Sequence, residues 1–296
     1  MTADPTEVGR GKRVFLLAHP AGHSLSPAMH NAAFAAVGIA ATYTARDVAP
    51  AALAAAAADL RRDGVLGANV SVPHKQAITK LVDRMTPEAT ALGAVNTVVN
   101  EGGQLVGSNT DGAGFVSGLL ELAPEFRSGG FRTLVLGAGG AARAVVWALV
   151  ALGGDVVIVN RDESRAADLL AGLVAAGLPS GKAKVGALDD VEPDLVVNST
   201  SVGMEGGKAP ADLPLLTRAH LERFAPSVVV SDLVYRPAVT PLLAAAAALG
   251  LRHQNGVAML VGQGALAFQA WTNVTAPVGV MRSAVEEALA ADLHRA

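Results

Sequence analysis

The chain contains no cysteine. That excludes disulfides, thiolate metal sites and a cysteine nucleophile together, and it fits a reducing compartment. Aromatic residues are only 4% of 296 positions, too few for the stacking platforms that hold single-stranded nucleic acid. The net charge is −3, so no basic field is available for DNA, RNA or an anionic membrane. Long apolar runs are missing as well. None approaches the ~20 residues that span a bilayer. The longest, Pro241 to Leu251, reads as a buried helix. The stretch Met1 to Lys12 is polar, lacks the apolar core of a signal peptide, and reads as a frayed tail. The histidines show no metal-ligand spacing, and His19, His23 and His74 each read as structural. The expectation is a cytoplasmic protein with no metal, no nucleic-acid partner and no membrane partner.

What is present suits a large core. The chain is 51% hydrophobic and 17% charged, and its length suggests two domains. Much of the apolar content is alanine, as in Ala54 to Ala58 and Ala244 to Ala248, which reads as helix filling.

The stretch from Arg132 to Arg143 organises the rest. β-Formers from Thr133 to Leu136 meet a glycine-rich turn of Gly137, Ala138, Gly139 and Gly140. Helical spacing follows, with Val145, Val146, Leu149 and Leu152 on one face. Strand, tight turn and helix in that order form a dinucleotide site. Gly137 allows the turn, Gly139 admits a pyrophosphate, and Ala142 lets helix pack on strand. The helix N-terminus offers free N–H groups to the phosphates. A second β-run, Val156 to Asn160, ends 160 − 137 = 23 residues after Gly137. NAD sites place an acid about there. This chain has Asn160 and Arg161, and a guanidinium suits the 2′-phosphate of NADP. Asp162 follows. It either repels that phosphate or caps a helix starting near Glu163.

Before this turn, strand and helix patterns alternate. Strands are expected at Val14 to Ala18, Thr42 to Asp47 and Leu66 to Val72. Helices are expected from Ser26, with serine at the cap and Pro27 in the first turn, to Val37, and from Ala51 to Arg62. Short helices follow near Lys75 to Leu81 and Pro87 to Leu92, then a hairpin through Asn100 to Gly103. Asp111 caps a helix to about Leu122. Further strands fall near 132–136, 156–160, 194–198 and 228–232. The fold class is α/β with mainly parallel strands. An apolar stripe of Val257, Leu260, Val261, Gly264, Ala267, Phe268 and Trp271, then a helix over about Val278 to Leu293, close the chain. With no strand after them, these helices are expected to pack back on the N-terminal domain.

Four polar clusters lie in turn-like contexts: His23 to Pro27, Ala68 to Lys75, Gly93 to Thr97, and Gly107 to Gly112. Two follow strands directly, where open α/β sheets bind ligands. Serine, asparagine and glutamine supply short uncharged groups for hydroxyls, and a lysine can serve as the proton donor that hydride chemistry needs.

These clusters, in this order, resemble the shikimate dehydrogenase family from about Val14 to the C-terminal helices. The resemblance implies NADP-dependent reduction of a small-molecule substrate, 3-dehydroshikimate to shikimate, in aromatic amino-acid biosynthesis, by a monomer or homodimer. It implies a substrate domain of 13–110 plus 256–296 and a Rossmann-type NADP domain of 111–255, meeting at a cleft. It gives Lys75 and Asp111 as the catalytic pair. Ser24 and Ser26, assisted by Tyr235, would bind the substrate carboxylate. Asn69, Ser71, Asn96 and Gln263 would bind ring hydroxyls or frame the pocket. Gly137, Ala138, Gly139, Gly140, Ala141, Asn160, Arg161, Asn198, Ser199 and Gly256 would face NADP. Ser71 stands where relatives commonly have threonine, and Asp162 where they commonly have threonine or serine. Two other readings are a quinate-using or NAD-using enzyme of the same family, and a catalytically silent NADP sensor.

Overall fold

The structure is a computed structural model and describes residues 11–293. Residues 1–10 of the expected N-terminal tail lie outside the described residues. The chain divides into two compact units. The first holds the residues up to Thr110 and those from Gly264 onward; the second runs from Asp111 to Gln263.

The first unit contains β1 (Lys12–Ala18), α1 (Ser26–Ala36), β2 (Ala41–Asp47), α2 (Leu53–Asp59), β3 (Val65–Val70), β4 (Arg84–Met85), α3 (Pro87–Leu92), β5 (Thr97–Glu101) and β6 (Gln104–Ser108). Its sheet has the order β2-β1-β3-β5-β6-β4. β1 pairs in parallel with both β2 and β3, while β5 runs antiparallel to β3 and β6. The expected hairpin is the β5–β6 pair. Phe15, Leu17, Val70, Val98 and Leu105 build the core on one face.

The second unit contains α4 (Asp111–Leu122), β7 (Arg132–Leu136), α5 (Gly140–Ala151), β8 (Asp155–Val159), α6 (Glu163–Ala175), β9 (Ala183–Val185), β10 (Leu195–Asn198), α7 (Arg218–Arg223), β11 (Val229–Asp232), α8 (Pro241–Ala248) and β12 (Arg252–Gln254). Its six strands are all parallel, in the order β12-β11-β10-β7-β8-β9. Helices cover such sheets, so the strands read as continuous apolar runs. Val228 to Val230 and Leu195 to Val197 are buried throughout.

Helix α9 (Val257–Thr272) begins in the second unit, and α10 (Val278–Leu293) follows it. From Gly264 onward both pack on the first unit, as expected. Phe268 meets Phe34 of α1 at 5.1 Å between ring centroids. Trp271 donates its indole N–H to the Val98 carbonyl at 2.9 Å. Residues 256–263 stay with the second unit. The Gly256 N–H bonds the Val234 carbonyl at 3.0 Å, just beyond β11.

Two local expectations differ from what is found. The segment after Pro73 forms turns and a 3₁₀ helix over Ala77–Lys80, not an α-helix. There the Thr79 hydroxyl donates to the Gln76 carbonyl at 2.7 Å, a local bond that competes with helix continuation. At α1, Leu25 holds the cap position, and Ser26 lies inside the helix with no capping bond from the Leu25 side chain. Pro27 has no N–H to offer, so the Ser26 N–H takes the Ser24 hydroxyl instead, at 3.2 Å.

Candidate functional site

In the first unit, one edge of the sheet gathers the expected polar residues. β1 and β3 present their C-terminal ends there. β5 runs the other way, so its N-terminal end, with Asn96 before it, opens on the same edge. The Val70 N–H donates to the Asn96 carbonyl at 2.8 Å. The Lys75 carbonyl accepts from the Val95 N–H at 2.8 Å, tying the lysine's loop to the one that carries Asn96. Ser24, Ser71 and Lys75 are half-buried, while Ser26, Asn69 and Asn96 are buried.

The two asparagines form the floor of a polar lattice. Asn69 donates from Nδ2 to the Asn96 carbonyl and to the Thr97 hydroxyl, both at 3.2 Å. Its Oδ1 accepts from the Tyr43 hydroxyl at 2.9 Å. Asn96 Oδ1 accepts from the Thr110 N–H at 2.8 Å and the Thr97 hydroxyl at 3.0 Å, while Nδ2 donates to the Thr110 hydroxyl at 3.0 Å. Buried amides held this way are rigid, and their orientation is set by partners rather than by solvent. His74 is anchored from behind, its Nε2 at 2.7 Å from the Val48 carbonyl.

A cavity of about 560 Å³ also opens in the first unit, lined by Lys12, Ile39, Leu66, Trp271 and Val274 among others. None of the expected site residues lines it.

In the second unit, Asp111 opens α4, where a carboxylate complements the helix dipole. α4 carries glycine on the faces it packs. A Cβ at Gly112 would stand 2.6 Å from the Ala144 carbonyl oxygen of α5, and one at Gly114 only 2.3 Å from the Gln263 N. That close approach brings Gln263 of α9 beside the turn that begins with Asp111. Gln263 also donates from Nε2 to the Leu260 carbonyl at 2.9 Å. Replacing Gly114 with alanine must push α9 away. The expected cost is about 1–3 kcal/mol of stability, read as a lower thermal midpoint, together with a raised KM for substrate. An unchanged KM would separate Gln263 from substrate binding. Tyr235 is half-buried, and burial raises its pKa above the usual tyrosine value.

The glycine turn is open where a pyrophosphate needs it. Gly137 has φ +105°, a conformation that favours glycine, and a Cβ there would meet the Ser199 Oγ at 2.8 Å. A Cβ at Gly139 or Gly140 would meet nothing within 4 Å, so the space over the α5 N-terminus is clear. Ala138 and Ala141 complete this turn, both only partly buried. Ala142 is fully buried, as close helix-on-strand packing requires. Asn160 donates to the Asp162 carbonyl at 2.8 Å and leaves the end of β8 without an acidic side chain. Arg161 is exposed. Asp162 is the cap of α6: its Oδ1 accepts from the Ser164 N–H at 3.1 Å and the Ser164 hydroxyl at 2.7 Å. The Ser164 hydroxyl, the backbone N–H groups and the nearby Arg165 hold its carboxyl below the usual range.

Asn198 is turned inward. Its Nδ2 donates to Asp232 at 2.8 Å and to the Val202 carbonyl at 3.3 Å, and its Oδ1 accepts from the Thr200 N–H and hydroxyl at 3.0 and 2.7 Å. All four of its hydrogen-bonding positions are filled. Asp232 beneath it is buried, and burial raises its pKa while Thr240, the Val234 N–H and Asn198 oppose the rise. Ser199 bonds the Leu136 carbonyl through both N–H and hydroxyl, at 2.9 and 2.7 Å.

Sequence reasoning missed Tyr43, Thr200, Asp232 and Arg165. Asp232 was the visible one, a charged residue ending an apolar strand. Tyr43 gave no signal, since its partner lies 26 residues away. Among the described residues no group of three or more histidine, aspartate or glutamate side chains is placed to hold a metal, and no helix is long and apolar enough to cross a membrane.

A parallel sheet with a glycine turn open over a helix start defines a dinucleotide-binding α/β protein, here with a polar, lysine-bearing site on its other unit. The family models described as the shikimate dehydrogenase substrate binding domain and the shikimate 5′-dehydrogenase C-terminal domain match residues 16–98 and 256–286. A shikimate dehydrogenase (NADP(+)) of Moorella thermoacetica is 48% identical over 284 residues, covering 94% of each chain. The solved shikimate 5-dehydrogenase of Thermus thermophilus, in complex with NADP(H) and shikimate, matches at TM-score 0.82 and 37% identity, covering 94% of this chain and 100% of that one. A quinate dehydrogenase of Corynebacterium glutamicum, in complex with NAD, matches at TM-score 0.82 and 31% identity, covering 94% and 98%. The chain belongs to the shikimate dehydrogenase family.

Proposed function

We propose that the chain reversibly reduces 3-dehydroshikimate to shikimate with NADPH, in the cytoplasm, as a step of aromatic amino-acid biosynthesis. The observation that carries this reading is the rigid lattice of Asn69 and Asn96 on the sheet edge that also bears Lys75. It supplies fixed, uncharged groups for a polyhydroxylated ring beside a proton donor.

The residues fit the cofactor. The clear space at Gly139 and Gly140 suits a pyrophosphate, and Ala138 and Ala141 belong to the same turn. When bound, NADPH supplies the hydride. Lys75 donates the accompanying proton to the carbonyl oxygen being reduced and takes it back in the reverse direction. Asp111 accepts a hydrogen bond from a substrate hydroxyl. Ser24 and Ser26, with Tyr235, hold the carboxylate; Asn69, Ser71, Asn96 and Gln263 hold or frame the ring. We assign substrate binding to 13–110 plus 256–296 and NADP binding to 111–255. Asn198 and Ser199 act on the cofactor through the loop they brace, and Gly256 through its backbone.

Arg161 and the absence of an acid at Asn160 support NADP over NAD. Asp162 is committed to capping α6, with Arg165 in the same turn. Substituting Arg161 with alanine should weaken NADPH binding roughly 10- to 100-fold, the scale of a hydrogen bond to a charged group. NADH binding should hardly change. Equal losses for both cofactors, measured by fluorescence titration, would remove the 2′-phosphate role.

The likeness to a quinate dehydrogenase gives the second reading, reduction of 3-dehydroquinate with NAD(H). Ser24 and Ser26 are both present, which favours shikimate. A silent NADP sensor would have no use for Lys75 and Asp111.

A further inference from the structure

Tyr43 sits on β2 with its hydroxyl in the site and its ring in the core. It is 1% exposed. Three contacts from α1 hold it. Asn31 clasps its backbone, accepting from the Tyr43 N–H at 2.8 Å and donating to the Tyr43 carbonyl at 3.0 Å. His30 stacks on its ring at 4.5 Å between centroids and 12° between planes. The ring therefore cannot turn away, and the hydroxyl points where α1 places it. That hydroxyl meets Asn69 Oδ1 at 2.9 Å. Ser26 stands beside it as well. Burial raises the tyrosine pKa, and the Ser26 side chain opposes that rise.

The consequence lies in Asn69. Both N–H bonds of its amide already face acceptors, the Asn96 carbonyl and the Thr97 hydroxyl. A flipped amide would set oxygen against the Asn96 carbonyl. Tyr43 occupies one lone pair of Oδ1, and a carbonyl oxygen has two. Asn69 can therefore offer a ligand only an acceptor, so the substrate group that meets it must be a hydroxyl acting as donor.

We propose that Tyr43 is a positioning residue for substrate recognition, its hydroxyl holding Asn69 with Oδ1 presented as the acceptor for a ring hydroxyl. This rests on the reading of Asn69 as a substrate-binding residue. Tyr43 touches no reacting atom; it acts through Asn69. At 1% exposure no water can replace the lost hydroxyl in a phenylalanine variant. The buried Oδ1 is then left with one partner fewer and a looser orientation.

The test is a double-mutant cycle of Tyr43→Phe and Asn69→Ala, read as KM for shikimate, KM for NADP and kcat. Phenylalanine keeps the stack on His30 and the backbone clasp by Asn31, so folding is preserved, and the NADP KM serves as the check. The expected result for Tyr43→Phe is a rise of about 3- to 10-fold in shikimate KM, the scale of one hydrogen bond. Its kcat should stay within about threefold and its NADP KM should not move. In the Asn69→Ala background the same substitution should add no further rise. A Tyr43→Phe enzyme with a lower melting temperature and a normal shikimate KM would overturn the proposal, leaving a packing role only. Independent, multiplying effects would overturn action through Asn69. A normal shikimate KM in Asn69→Ala alone would instead remove Asn69 from the substrate site, and the proposal with it.

Discussion

Lys75→Ala is expected to lower kcat by roughly 10²–10⁴, the range for loss of a general acid or base. That corresponds to about 3–5 kcal/mol at 1.36 per decade. Lys75 is half-buried in the loop after β3, and its carbonyl is bonded to the Val95 N–H at 2.8 Å. Its backbone is thus fixed beside the Asn96 loop. A group acting in the transition state changes kcat, whereas one that only binds changes KM. Lys75→Met keeps much of the apolar stem and removes the charge, so it should be as inactive as alanine. A near-normal kcat with a large KM would leave Lys75 as a binding residue. Single-turnover kinetics with saturating cofactor distinguish the two.

A second large effect concerns acid stability. His30 is fully buried, and both ring nitrogens lack a hydrogen-bond partner. Burial lowers its pKa to about 3, with the Asn69 side chain opposing the fall. Its neighbours Tyr43, Trp271 and Asn69 carry no charge at neutral or acid pH. A histidine in the unfolded chain takes a proton near pH 6.5, while folded His30 does not until about pH 3. The unfolded state therefore binds more protons across that window, and stability falls as pH falls. The slope is about 1.36 kcal/mol per pH unit for one such group. Between pH 6.5 and 4.5 the loss should be about 2–3 kcal/mol. Carboxylates held below their usual range, such as Asp83, begin to matter only at the acid end. His30→Phe, which retains a ring on Tyr43, should flatten this dependence. Urea unfolding at the two pH values measures it. Equal pH slopes in the two proteins would mean that folded His30 takes up its proton over the same pH range as in the unfolded chain.

The parts of the molecule that were legible in sequence are those fixed by local chemistry. Gly137 needs a backbone conformation that glycine favours, so strand, turn and helix declared themselves together. The strand-end clusters also stood out, because polar residues interrupt apolar runs there. What depends on partners distant in the chain was not legible. The helix from Asp111 was legible, but the close packing of its glycines on Ala144 and Gln263 was not. β4, β9 and β12 are two or three residues long, too short to show an alternating pattern. Ser26 looked like a helix cap from its place before Pro27, yet the hydroxyl that bonds the free N–H is that of Ser24. Asp162 looked ambiguous, and its bonds to Ser164 and Arg165 show the cap. Asn198 looked like a cofactor ligand, but its amide is spent on Thr200, Val202 and Asp232. Tyr43 was hidden for the same reason that it matters, a side-chain bond across one sheet from β2 to β3 with no spacing rule.

The most direct test is cofactor absorbance with purified protein and four pairings: 3-dehydroshikimate or 3-dehydroquinate, each with NADPH or NADH. Fast oxidation is expected with 3-dehydroshikimate and NADPH, with at least a tenfold lower kcat/KM for the other three pairings, about 1.4 kcal/mol of discrimination. Faster turnover of 3-dehydroquinate with NADH, or no turnover in any pairing, would contradict the assignment of Lys75, Ser24, Ser26 and Arg161 to an NADPH-dependent shikimate site.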